Sequence, residues 1–471
     1  MSAWRTISRR LLRKKPVATG SGLTLSRSLN RLDLMVMGMA QIIGAGIFVI
    51  SGVGIRIAGP GLLLSLLLAG TACTLAALCY AELAAMMPLA GSVYTYAYGI
   101  FGELAAWIIG WDLILEYGMG AATVASGWSS YLQDLMLGFG WRLPQWASGP
   151  PFSQPGRVLN LPAALVVAGF AVLLILRTRI SALVARGFVV GKLAVLAFII
   201  ALGAAFVRPH NWLPLMPHGV GSIIGASALV FFAYLGFDVV AIAAEEARNP
   251  DRDVPFGIIG SLVVCSLIYL AAVLVLLGMV PYGQVNPGSP FSSVFRQVGL
   301  PWAAALVGVG AIIGITGVLY MLLWAQPRLL FAMARDGLLP PWVAALHPRF
   351  HTPYRSTICC GAGVALVASL TPIEKLAYLC NIGTLFAFFL VCLGTLILRL
   401  VQPDQHRPFR CPWGKTVAVA GALVCLALML SMPASSWWRL GLWLLAGLTV
   451  YFLYGFRCGH FREVEARGDE D

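Results

Sequence analysis

Charge is what this sequence has least of. Of 471 residues, 19 are Asp or Glu and 32 are Lys or Arg, 11% together. A soluble domain carries about 25%. With 59% hydrophobic residues, the chain cannot cover a water-facing surface, which excludes a soluble enzyme or binding module. Histidine is thin too. All six (His210, His218, His347, His351, His406, His460) fall between apolar runs or in the tail, so a catalytic cluster at membrane depth has none to build on. The ten cysteines are scattered. Cys73, Cys79, Cys265, Cys392 and Cys425 lie inside apolar runs, and Cys359–Cys360 are adjacent without partners at metal-ligand spacing, so all read as small apolar residues. No metal and no cofactor is expected, and the chain does not read as an enzyme.

What is present is long apolar runs, about 20 residues each, without the strict alternation of a barrel strand; these are membrane helices. They fall near 34–57, 62–86, 98–126, 160–177, 187–207, 220–243, 256–280, 300–333, 356–371, 375–398, 416–432 and 437–456. The expected fold class is an all-α integral membrane protein with twelve transmembrane helices. Twelve spans put 24 of the basic residues on the side of both termini and 7 on the other, with Lys192 inside a span, which accounts for all 32. That is the positive-inside bias, so both termini are expected in the cytoplasm. The net charge of +13 therefore points to a lipid bilayer, not to nucleic acid. The opening "RTISRRLLRKK" reads as a basic leader touching anionic lipid rather than a signal peptide.

Glycine interrupts two of these runs. "QIIGAGIFVI" (41–50) carries Gly44 and Gly46; "FFAYLGFDVV" (231–240) carries Gly236, with Asp238 after it. Gly44 and Gly236 lie 192 residues apart, about five spans. Span one and span six then hold matching positions in two five-helix halves, and an odd number of spans inverts the second half. Paired interrupted spans point to a secondary transporter's substrate site. Unwound backbone survives in lipid only where something satisfies it: amides at a half-helix start attract a carboxylate, and freed carbonyls accept from an ammonium. Close helix packing is the other use of such glycines.

Six stretches in order, "GMAQIIGAGIFV", "YAELAAMMPLAGSVYTYAY", "GWDLILEY", "FFAYLGFDVVAIAAEEARNPDRDVP", "RLLFAMARDGLLP" and "RPFRCP", resemble the amino acid–polyamine–organocation superfamily of transporters. Among its branches they are most similar to bacterial members of the cationic amino acid transporters. The likeness covers about residues 30 to 415. It implies the leucine-transporter fold: a basic segment (1–33), two five-helix inverted repeats (34–207 and 208–399), helices eleven and twelve (400–456) and a cytoplasmic tail (457–471). It implies import of L-amino acids across the bacterial inner membrane, by proton symport, or by exchange of cationic amino acids. A small accessory membrane subunit is left open. Relatives often carry a hydroxyl residue where this chain has Ala45, which leaves the backbone alone to meet a carboxylate. The longest eukaryotic relatives carry two further helices that this chain is too short to hold.

The resemblance also assigns residues. The substrate carboxylate meets amides around Gly44, Ala45, Gly46 and Ile47. The amine meets carbonyls of Ile42, Phe232 and Leu235 beside Gly236, and Phe232 gates the substrate. Lys192 by its position alone either snorkels past Arg186 to water or stays buried. The resemblance makes it the replacement of a sodium ion between spans one, five and eight, with Thr316 and Gly317 lining the same place. Asp112 and Glu116 share one face of helix three. Glu116 relays protons, sits near the substrate side chain, or bonds a neighbouring helix. Asp238 and Glu245, seven apart on one expected helix face, and Glu246 form an inner gate with arginines or a solvated helix end. Arg335–Asp336 reads as a structural loop contact.

Overall fold

The computed structural model describes residues 29–87, 92–151, 153–176, 182–350 and 352–456. The basic leader up to residue 28 and the tail from 457 lie outside them. Nearly everything described is helical, and the only β contacts are two isolated bridges, Leu29 with Ala247 and Ser148 with Asn160. In chain order the helices are α1 (Arg31–Ile42), α2 (Ser51–Ala58), α3 (Leu62–Met86), α4 (Ser92–Ile100), α5 (Glu103–Gly138), α6 (Leu161–Ile175), α7 (Ala182–Ala204) and α8 (Gly219–Val230). They continue with α9 (Val239–Ile242), α10 (Pro250–Met279), α11 (Pro290–Gln297), α12 (Pro301–Arg335), α13 (Tyr354–Leu370), α14 (Ile373–Val401), α15 (Gly414–Leu430) and α16 (Ala434–Val450).

By length and composition, five helical stretches among the described residues can cross a membrane; α15 with the α16 stretch, bent by 108°, makes a sixth. α6, α13 and the run from α8 to Tyr234 are apolar but shorter. Faces turned outward are apolar as lipid requires: Leu165, Leu267, Leu423 and Leu442 are all more than half exposed.

Local chemistry sets where helices start. Asn30 caps α1, its side chain accepting from the amides of Leu32 and Asp33 while Asp33 Oδ2 accepts from the Asn30 amide, a reciprocal capping box. Proline opens α6, α10, α11 and α12, where its missing N–H has no partner to lose. The run expected at 98–126 is two helices, because Gly102 takes φ +96°, a left-handed turn that glycine favours; α5 then runs on to Gly138.

Buried charge staples both ends. At one end Arg296 of α11 pairs with Asp134 of α5 at 2.8 Å, and Ser292 donates to the same carboxylate at 2.6 Å. At the other, Glu82 of α3 is 1% exposed. It takes Arg399 Nε at 2.9 Å, pairs with Arg407 at 3.2 Å and accepts from the Cys411 amide at 2.8 Å. Arg407 also donates to the carbonyls of Leu398 and Gln402, capping the end of α14. Asp336 accepts from Tyr94 Oη at 3.0 Å, the loop contact expected of it.

Removing Glu82 would strand the buried Arg407 and the partly buried Arg399, and breaking such a network costs about 3–5 kcal/mol. Glu82→Ala is expected to unfold at clearly lower temperature in detergent, with Glu82→Gln between it and wild type. A Glu82→Ala melting curve that overlays wild type would remove the network from the account of stability.

Candidate functional site

Both glycine-marked runs are broken where the sequence predicts. Ile43 leaves α1 with ψ 100°, and the chain re-forms as a π-helical turn, Gly46–Ile50, before α2. The second run passes from α8 through a tight turn, Phe231–Tyr234, to extended Leu235 (ψ 145°). Gly236 follows with φ +114°, and the helix resumes at Val239. The amides of Ala45, Gly46 and Ile47 thus open a half-helix, where the intrahelical acceptors run out.

The glycines do different work at the two breaks. Gly236 is needed for its φ. Gly44 and Gly46 sit at the break with no positive φ. They are needed for close approach: a Cβ on Gly46 would lie 2.3 Å from Ala233 Cα and 3.0 Å from its backbone nitrogen, and one on Gly44 would lie 2.8 Å from Val318 Cγ2. Gly236 in turn packs on Gln41, where a Cβ would meet Cγ at 2.6 Å. The two broken segments cross with almost nothing between them.

Side chains from surrounding helices satisfy the freed carbonyls. Tyr269 Oη donates to Ile42 O at 2.8 Å and Tyr131 Oη to Phe48 O at 2.7 Å. Asn381 Nδ2 donates to Ala228 O and Leu229 O at 2.7 and 2.8 Å. In the other direction, Tyr234 Oη of the second break donates to Leu66 O of α3 at 3.0 Å. These keep irregular backbone at depth. The Phe232 carbonyl takes the Leu235 amide at 3.4 Å, long for a hydrogen bond, so it stays available to a ligand donor.

A cavity opens beside the crossing. Its walls are Gln41, Ile42, Gly44, Ala45 and Gly46 from the first break, Phe232, Leu235, Gly236 and Asp238 from the second, Glu116, Tyr117, Gly120 and Val124 of α5, Val318 and Leu322 of α12, and Cys380 of α14. The two breaks supply main chain to it, and α5, α12 and α14 supply apolar side chains together with the Glu116 carboxyl. The sequence reading missed the α5, α12 and α14 walls apart from Glu116. Only the α5 stripe at 116, 120 and 124 had a signal, its spacing of four.

Lys192 of α7 does not snorkel. It is 2% exposed and its Nζ donates to the carbonyl of Ala40 in α1 at 2.6 Å. α12 presents Gly314 and Gly317 to it: a Cβ at Gly314 would lie 3.1 Å from Lys192 Cγ, and one at Gly317 3.8 Å from Nζ. Thr316 points elsewhere, donating to Ile312 O at 2.7 Å and accepting from Trp128 Nε1 at 3.0 Å. Asp238 lies in the turn before α9 and lines the cavity. It does not share a continuous helix face with Glu245, because α9 ends at Ile242 and a tighter turn, 243–246, follows; the Glu245 side chain lies outside the described residues. The Glu246 carbonyl accepts from the Leu29 amide at 3.0 Å, tying that turn to the start of α1.

Two broken segments thus cross beside one cavity, and a buried lysine of α7 bonds the first of them. The profile of the family described as "Amino acid permease" matches residues 29–452. The chain belongs to the amino acid permease family. It is 44% identical over 459 residues to the methylthioribose transporter of Bacillus subtilis and 43% identical over 452 residues to the branched-chain amino acid permease BcaP of the same organism; each alignment covers 94% of this chain and 97% of the relative. It is 38% identical to the vacuolar cationic amino acid transporter 4 of Arabidopsis thaliana, over 81% of this chain and 64% of that one. Membership makes this permease a membrane transporter and not an enzyme.

The Gly46 contact gives a sharp test. Gly46→Ala places a methyl group against main chain that cannot yield, so ligand binding should weaken at least about tenfold, 1.4 kcal/mol. Gly225→Ala, with nothing within 4 Å, serves as the control. Equal affinities in a thermal-shift titration across the amino acids would show that the crossing tolerates a side chain.

Proposed function

We propose that this permease imports L-amino acids across the bacterial inner membrane by proton symport, on a leucine-transporter fold of twelve spans. In this reading residues 34–207 and 208–399 are the inverted repeats, helices eleven and twelve fall in 400–456, and both termini are cytoplasmic, as the charge bias asks. The carrying observation is that two broken helices cross beside one cavity while Lys192 holds the first of them through the Ala40 carbonyl.

The roles follow from the chemistry of each group. The amides of Ala45, Gly46 and Ile47 receive the substrate carboxylate. The carbonyls of Ile42, Phe232 and Leu235 receive the ammonium, the first sharing its oxygen with Tyr269. Phe232, 7% exposed, covers the substrate, and Val124, Val318 and Leu322 surround its side chain. The Lys192 ammonium stands where a coupling cation would, and passing its proton to water weakens the bond to the Ala40 carbonyl and loosens α1 from α7. Rocking of the broken segments against the remaining helices then carries the site between the two faces.

One observation favours a second reading, exchange of cationic amino acids. Glu116 and Asp238 line the cavity, and carboxylates there suit a basic side chain. The relative named as a methylthioribose transporter adds that compound to the substrates worth testing.

Uptake into proteoliposomes, sodium-free, with and without an inward proton gradient, separates these readings. The panel is radiolabelled L-amino acids and methylthioribose. Wild type should accumulate substrate only with the gradient, and Lys192→Ala should lose at least about tenfold of that uptake. Uptake that ignores the gradient but needs internal amino acid would make the permease an exchanger and Lys192 structural.

A further inference from the structure

The cavity does not use one buried acid. Asp112 lies one turn from Glu116 on the same face of α5, with Cβ atoms about 6 Å apart at such spacing. It is wholly buried, and neither carboxyl oxygen has a hydrogen-bond partner. The opposing surface is α14 at Gly383, where a Cβ would come within 2.8 Å of Oδ1. Only glycine leaves room for the carboxyl there. The titratable groups near the pair are Tyr117 on α5 and Cys380 on α14, with Asp238 across the cavity. Thr384 of α14 donates to the Cys380 carbonyl at 3.1 Å. No basic side chain among the described residues acts on either acid.

A bare carboxylate in that place would be an unpaired charge in apolar surroundings. A metal ion would need several oxygen ligands, and among the described residues no group of three or more His, Cys, Asp or Glu can hold one. The occupant that fits is a proton. We propose that Asp112 is a proton-carrying group of this permease, holding a proton while sealed between α5 and α14 and passing it on when α14 shifts against α5. The O–H bond at Asp112 breaks and one forms at the Glu116 carboxylate or at water; nothing is oxidised or reduced. Glu116 borders the cavity and Asp112 lies nearer the Glu103 end of α5. A proton arriving with substrate therefore has a second buried station on its way out. The inference rests on the reading of the permease as a proton symporter.

Two measurements on the full chain in lipid test it, wild type against Asp112→Asn. The first is infrared spectroscopy of the protonated-carboxyl C=O stretch near neutral pH, before and after transfer to heavy water and on addition of L-isoleucine or L-arginine. Wild type should show a buried band that Asp112→Asn lacks and that the transported amino acid perturbs. The second is transport. Asp112→Asn should keep counterflow while gradient-driven accumulation falls at least tenfold. Identical band sets in the two proteins, or full accumulation by Asp112→Asn, would overturn the proposal. If wild type itself ignores the gradient, symport fails and the inference falls with it; gradient-driven wild type with unimpaired accumulation by Asp112→Asn overturns the inference alone. Should Asp112→Asn fail to fold, Gly383→Ala crowds the same carboxyl from the other helix; an unshifted wild-type band in that variant overturns the proposal.

Discussion

Every unpaired backbone amide or carbonyl in an apolar medium costs several kcal/mol, and this fold is arranged around two places where that rule is strained. A continuous helix satisfies itself. Here two helices are interrupted at depth, and the surrounding structure compensates. Tyrosine and asparagine side chains from α5, α10 and α14 reach in to bond the carbonyls that the breaks release, and Lys192 from α7 takes one more. The amides at the start of the second half-helix have no intrahelical acceptor. The charged staples at the two ends, Asp134–Arg296 and Glu82–Arg399–Arg407, are the counterpart of this: they hold the helices that supply those donors.

Much of this was legible in the sequence, and the reasons are physical. A membrane helix is announced by apolar length alone, so the runs fell close to the helices. The break at Gly236 was legible because a φ of +114° demands glycine. The buried state of Lys192 was not, since its position allowed snorkelling equally well and only the Ala40 contact decides. The capping residues Tyr131, Tyr269 and Asn381 carried no signal either, because a tyrosine in an apolar run looks like any core aromatic until its hydroxyl's partner is known. Asp238 and Glu245 looked like one helix face because sequence spacing assumes a continuous helix, and the chain tightens at residue 243.

The cavity itself divides by chemistry. Main-chain groups from the two breaks form one wall, and such groups recognise what amino acids have in common. Side chains from α5, α12 and α14 form the other, beside what differs among them. Glu116 and Asp238 bring carboxyl groups to the same cavity.

The crossing at Gly46 and Ala233 has a consequence for how such a protein diversifies. Because main chain abuts main chain there, a side chain at residue 46 has no space, and the geometry of the crossing is fixed. The apolar wall is built differently: Val124, Leu322 and Cys380 each belong to an intact helix, away from that crossing. A lineage built on this frame can acquire a new cargo by repainting one wall, without ever reopening the question of how the helices bend.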